Sequence, residues 1–139
     1  MRLNVVIQNK KIMSNEELIK QFYVAFKNHD KETYLKLCDK NIEWQTAEGM
    51  PNGGNYIGGD QVFENYFPNM LKNFKEFHAI PEQILDLKEH IMVTGKYVGI
   101  SKNNKEFEVL FSHVYKIEKN KIIKFRQFTD TVVIQKALN

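Results

Sequence analysis

Cysteine is nearly absent: Cys38 is the only one in the 139 residues. An internal disulfide is therefore excluded, and a reducing, cytoplasmic compartment is the expected location. Cys38 follows the apolar helical stretch Tyr34-Leu35-Lys36-Leu37, so a buried, inert thiol is predicted rather than a nucleophile. Arginine is almost as scarce, with only Arg2 and Arg126. Arginine is the side chain that grips phosphates and base edges in a bidentate fork, so nucleic-acid binding is not expected. The net charge is +3, and the lysines between Lys116 and Lys124 are interspersed with Ile and Glu, as on a solvated sheet face. No apolar run approaches the ~20 residues of a membrane span. Leu3 to Ile7 is interrupted by Asn4 and is too short for a secretory h-region.

Signatures of cofactor chemistry are missing too. His29, His78, His90 and His113 are single and widely spaced, without paired-ligand spacing, so no metal is expected. The glycine-containing stretch from Glu48 to Gly59 lacks a Gly-Lys-Ser/Thr ending and reads as a turn-rich connection. No serine-nucleophile elbow is present. No cofactor is predicted.

What the chain does contain is apolar and aromatic surface: 42% hydrophobic residues, with ten Phe and six Tyr. That suffices for one core and for a pocket lining. Met13 directly precedes the capping box Ser14-Asn15-Glu16-Glu17. Residues 1–13 therefore read as an N-terminal extension and residues 14–139 as one domain. Leu18, Ile19, Phe22, Tyr23 and Phe26 predict a helix from about Asn15 to Asn28. Asp30 is placed to cap a second, short helix carrying Tyr34, Leu35 and Cys38. Asn41 to Thr46 reads as a strand. Asp60 is the expected N-cap of a third helix bearing Val62, Phe63, Tyr66, Phe67, Met70, Leu71 and Phe74, with a kink or break near Phe67 caused by Pro68. Four strands follow, at about Phe77–Leu87, His90–Ser101, Lys105–Glu118 and Lys121–Val133, with hairpin turns at Asn103-Asn104 and Lys119-Asn120. In the third of them Phe107, Val109, Phe111, His113, Tyr115 and Ile117 share one face. Helices first and an antiparallel meander last predict the α+β class.

The ordered set Ile42-Glu43-Trp44, Gly49-Met50-Pro51, Gly54-Asn55-Tyr56-Ile57-Gly58, Val62-Phe63, His113-Val114-Tyr115-Lys116-Ile117, Lys121-Ile122 and Arg126-Gln127-Phe128-Thr129-Asp130-Thr131 resembles the SnoaL-like, ketosteroid-isomerase-like proteins of the nuclear-transport-factor-two-like superfamily. The resemblance spans about Asn15 to Leu138. It implies a cone-like, curved antiparallel sheet packed against three N-terminal helices, an apolar pocket at the open end, and a homodimer formed through the sheet. Such proteins include polyketide cyclases, ketosteroid isomerases, epoxide hydrolases and binding domains without a reaction, so the fold alone selects no function.

His113 is the first candidate catalytic residue. In its apolar row it is either a proton donor and acceptor near pH 7 or a buried imidazole satisfied by a hydrogen bond. Asp130, among Phe128, Val132 and Val133, is either a carboxylate whose pKa is raised in an apolar mouth or a strand-end or helix-capping residue. By strict alternation Asp130 and Gln127 face opposite ways, so a bulge is needed for both to line the pocket. Trp44 and Tyr56 are candidates to stack on a flat ligand, with Phe63, Phe111 and Gln127 completing the ligand-binding set; as a plain core residue Trp44 needs no ligand. The resemblance also implies departures. The acid of the polyketide cyclases falls on Gln127, which cannot deliver a proton in that way. The base, acid and phenol of the isomerases fall near Trp44 or Gln45, Ser112 and Phe22, and none is retained. The epoxide-hydrolase Asp-Arg-Asp set is not visible around Arg126. The expected partner is a small apolar or aromatic ligand. The expected function is its binding, with cofactor-free isomerase, cyclase or lyase chemistry through His113 and Asp130, or else a non-catalytic carrier or dimerisation module.

Overall fold

In a computed structural model that describes residues 12–139, helix α1 (Asn15–Lys27) starts where the capping box predicts. The Ser14 hydroxyl accepts the Glu17 N–H at 3.1 Å. Glu16 and Glu17 lie at the positive end of the helix dipole and Lys27 at the negative end, both favourable placements. Asp30 caps helix α2 (Lys31–Leu37) through the Thr33 N–H, at 3.1 Å. The short Leu3–Ile7 run and nearly all of the N-terminal extension lie outside the described residues.

Strand β1 (Cys38–Gln45) begins earlier than its sequence predicts, and Cys38 opens it rather than closing the helix. The reason is tertiary, since Cys38 pairs with Ile122 on a strand at the far end of the chain. The short strand β2 (Asn55–Ile57) follows the turn-rich loop. Residues Asp60–Tyr66 then wind as a π-helical segment, in which the Phe67 N–H reaches back to the Val62 carbonyl, and α3 (Phe67–Leu71) continues it. Pro68 stands at this junction, inside a continuous helical run, and has no N–H to give the ladder, so the predicted break near Phe67 is a change of helix type. Asp60 makes no capping bond. The chain enters from Gly59, already helical at φ −58° and ψ −38°, so the expected side-chain cap is not used.

Strands β3 (Phe74–Leu87), β4 (His90–Ser101), β5 (Glu106–Glu118) and β6 (Lys121–Thr129) form the meander. Lys119 and Asn120 both take positive φ, at 50° and 63°, as a two-residue hairpin demands. The sheet runs β2-β1-β6-β5-β4-β3. It is not wholly antiparallel, because β1 and β6 lie parallel. Bulging at Pro81–Gln83 bends β3 against β4. Gly95 and Gly99 of β4 sit opposite Phe111 and Phe107 of β5. A Cβ on Gly95 would lie 2.1 Å from the Ile80 carbonyl oxygen and 2.9 Å from the Phe111 ring. Only glycine therefore permits this close approach of strand and aromatic ring.

The last strand ends at Thr129, and helix α4 (Thr131–Leu138) replaces the strand predicted to reach Val133. The β-branched pair Val132-Val133 imitates a strand, but Asp130 caps the turn and Ile134 and Ala137, three residues apart, are buried as on a helix face. The concave side of the sheet, closed by α1, the π segment and α3, holds a continuous core that includes Phe22, Trp44, Phe63, Phe67 and Phe125. Cys38 lies in it, and burial pushes its thiol well above the usual range. Among the described residues, no helix is long and apolar enough to cross a membrane.

Candidate functional site

The alternation of β5 turns His113 inward between Phe111 and Tyr115, and the residue is only 4% exposed. The Phe111 ring stacks on the imidazole at 3.9 Å and 14°, and Phe125 meets it edge-on at 4.9 Å. Both ring nitrogens are engaged. Nδ1 lies 2.6 Å from the Tyr23 hydroxyl of α1, and Nε2 contacts the Tyr97 hydroxyl of β4. Tyr115 donates to the Tyr23 oxygen at 3.0 Å.

Gln127 of β6 stands directly opposite His113 of β5 in the strand register. The backbone N–H of Ala47 donates to its Oε1 at 3.0 Å, which fixes the amide orientation, so Nε2 donates to the Tyr97 oxygen at 2.7 Å. Each side chain in the network has a partner, as burial of polar groups requires. Burial lowers His113 from its ordinary 6.5 to about 3, so the ring is neutral through the physiological range. The same desolvation holds the Tyr23, Tyr97 and Tyr115 phenols above theirs. The site is thus an uncharged polar chain inside an aromatic shell. It can donate or accept single hydrogen bonds and pass a proton along its length, without placing a charged group beside a ligand.

The network faces a cavity in which about 40 Å³ remain for the centre of a water molecule, lined also by Trp44, Phe67 and Met70. That space holds one or a few waters, not a polycyclic molecule. The cavity shares Tyr23, Phe26, Phe77 and Ala79 with a groove of about 850 Å³ between α1 and β3.

Of the residues singled out from sequence, His113, Gln127 and Trp44 meet at this cavity, and Phe111 backs the imidazole. Phe63 packs behind them against Tyr34 at 4.7 Å. Tyr56 lies apart from the cavity, its ring tilted against Tyr66 and its hydroxyl on the Asn52 carbonyl. Asp130 is exposed, and its carboxylate accepts the Val132 N–H at 3.1 Å as the N-cap of α4. Of the two uses weighed for this carboxylate, the structure displays the capping contact. The needed bulge does not occur: β6 keeps Phe125 and Gln127 inward and ends before Asp130. Asp130→Ala is expected to lower stability by about 1 kcal/mol, the usual value of an N-cap, and to leave the His113 resonances in place. Urea unfolding and NMR of the variant check both.

Tyr97, Tyr115 and Tyr23 are not among the site candidates that the sequence offers, although Tyr115 stands in the inward row of its strand and Tyr23 on the core face of its helix. A signal was present. Tyr97 and Tyr115 fall on the inward parity of their strands, and a phenol there needs an acceptor or donor that phenylalanine would not. Among the described residues, no group of three His, Cys, Asp or Glu side chains is placed to hold a metal.

Residues 19–125 match the SnoaL-like domain family. Solved structures share the fold. An NTF2-like protein from Burkholderia thailandensis is 25% identical, with a TM-score of 0.86 over 92% of this chain and 99% of that one. An NTF2-like protein of unknown function from Burkholderia pseudomallei is 23% identical, with a TM-score of 0.84 over 91% and 99%. TerC, co-crystallised with polyporic acid, is 21% identical, with a TM-score of 0.82 over 89% and 97%. No curated protein matches the sequence.

Proposed function

This chain belongs to the SnoaL-like domain family, and from that premise we propose that it binds a small, flat, largely apolar molecule between the α1–β3 groove and the His113 cavity. The observation that carries this proposal is the uncharged network of Tyr23, Tyr97, Tyr115 and Gln127 around His113, facing a cavity in an otherwise aromatic interior. A core built for stability alone has no need of five polar side chains there, since burying them is costly without complete pairing. The co-crystallisation of TerC with polyporic acid is consistent with it.

The chemistry that suits the network is cofactor-free proton transfer of the isomerase, cyclase or lyase kind. His113 then acts as a neutral relay, taking a proton at one ring nitrogen and releasing one from the other. That role needs no charge in the aromatic shell, and Asp130 has no part in it. Gln127 is a positioning residue, because it orients Tyr97.

One observation favours the non-catalytic reading, a carrier or dimerisation module: the protein's own rings leave only about 40 Å³ of the cavity free. Pairing of two copies through the outer sheet face is part of the proposal. It is supported by Leu110, 72% exposed on the outward parity of β5, and by the exposed Phe128.

A thermal-shift screen of flat polycyclic compounds separates the readings. A ligand held only by the folded state at a hundredfold excess over Kd adds about 2.7 kcal/mol of stability. The expected result is a reproducible rise in Tm that Tyr97→Phe weakens; turnover of the same compound, lost in Tyr97→Phe and His113→Gln, would establish the enzyme. The absence of any shift across the library would transfer the assignment to the dimerisation module.

A further inference from the structure

The hydrogen-bonded chain Tyr115–Tyr23–His113–Tyr97 has three internal contacts. It carries four polar hydrogens, one on each hydroxyl and one on the neutral imidazole. Tyr97 gains no acceptor from Gln127, because the Ala47 N–H holds the amide oxygen and turns the amide N–H₂ toward the phenol. Among the described residues, neither the Tyr23 nor the Tyr97 hydroxyl has a further partner. One hydrogen therefore lacks an acceptor in either imidazole tautomer. With the proton on Nε2, the ring donates to Tyr97, Tyr23 donates to Nδ1, and the Tyr97 O–H is left over. With the proton on Nδ1, the ring donates to Tyr23, Tyr97 donates to Nε2, and the Tyr23 O–H is left over. Both phenols line the cavity.

Resting on the binding function above, we propose that the site selects ligands presenting an acceptor-only oxygen, a carbonyl or its enolate, to this surplus hydroxyl, and that the ligand's position sets the tautomer of His113. A ligand whose one polar group is an N–H donor meets a second donor and leaves both unpaired, which is the costly outcome in a buried site. A hydrocarbon leaves the hydroxyl as it was. Water accepts the bond but brings hydrogens of its own to aromatic walls.

Three tricyclic molecules of nearly the same flat shape test this: 9-fluorenone, with a carbonyl; fluorene, with a methylene; and carbazole, with an N–H. The expected order of affinity for the full chain is fluorenone first, by tenfold or more over fluorene, with carbazole last. In ¹⁵N spectra of the His113 ring, fluorenone is expected to drive the two nitrogens to one protonated and one unprotonated shift, a signature that plain packing would not produce. Fluorene or carbazole binding as well as fluorenone would overturn the acceptor rule while leaving the proposed binding function standing. Binding by none of the three would overturn both. Tyr97→Phe keeps the ring size and removes one of the two hydroxyls that can be left over; only the Tyr23 O–H then remains to serve the carbonyl, so fluorenone is expected to hold the proton on Nδ1. A proton held on Nε2 by fluorenone in this variant would also overturn the proposal.

Discussion

Replacing Trp44 by alanine is expected to destabilise the protein by about 3–5 kcal/mol, the range for deleting a large aromatic side chain from a packed core. At this chain length that corresponds to a fall in Tm of roughly 10–20 °C. The indole lies flat on Phe125 at 3.8 Å and 15°. It also meets Phe22 at 5.8 Å, Phe67 at 5.3 Å and Phe63 at 6.1 Å. It sits near the C-terminal end of β1, opposite Tyr56 of β2 and Phe125 of β6. Its loss therefore removes ring contacts from α1, α3, the π segment and strand β6 at once. Urea unfolding at neutral pH measures the change. A loss below about 1 kcal/mol, far under the usual core value, would mean that Trp44 is a yielding pocket wall that a ligand replaces.

The acid response of the protein is expected to carry the mark of His113. Its folded value, about 3, lies below the ordinary 6.5. As pH falls through 6.5 the unfolded chain takes up a proton that the folded protein refuses. The contribution is therefore fully present above 6.5 and is lost progressively down to about 3, with a slope approaching about 1.4 kcal/mol per pH unit. In His113→Gln that component disappears. All other titrating groups are shared by the two proteins and cancel in the difference. The stability advantage of the native protein over the variant is expected to shrink by roughly 2–3 kcal/mol between pH 6.5 and pH 4.5. Denaturant melts at a series of pH values give the difference directly. A constant gap would mean that His113 charges as readily in the folded state as in the unfolded one, and that water reaches it.

Much of the architecture is written in local patterns. The caps at Ser14 and Asp30, the inward row from Phe107 to Ile117 and the Lys119-Asn120 turn depend on neighbours along the chain, and each lies where its residues predict. What the patterns miss is set from a distance. Cys38 joins β1 because Ile122 awaits it, and the parallel β1–β6 ladder has no local signature. Val132 and Val133 satisfy strand propensity, yet one carboxylate at Asp130 and the burial of Ile134 and Ala137 decide for a helix. In the site, parity alone identifies His113 and Gln127 as inward. Their partners are legible only in three dimensions: Tyr23 is ninety positions from His113, and Gln127 is thirty from Tyr97. The same separation explains why the carboxylate chosen from sequence stands outside the cavity while phenols on three different elements complete it.

The parallel seam between β1 and β6 has a consequence for the order in which the molecule comes together. Strands β3 to β6 are successive hairpins and can pair as soon as each is available, whereas β1 must wait for the last strand of the chain. Closing so long a loop carries an entropic penalty before any contact repays it, and non-local pairings of this kind slow folding. During synthesis β1 emerges early but finds its seat last. The indole of Trp44 settles on Phe125 only at that closure. Tryptophan fluorescence in a refolding trace is therefore expected to time the moment at which this wall of the cavity is completed.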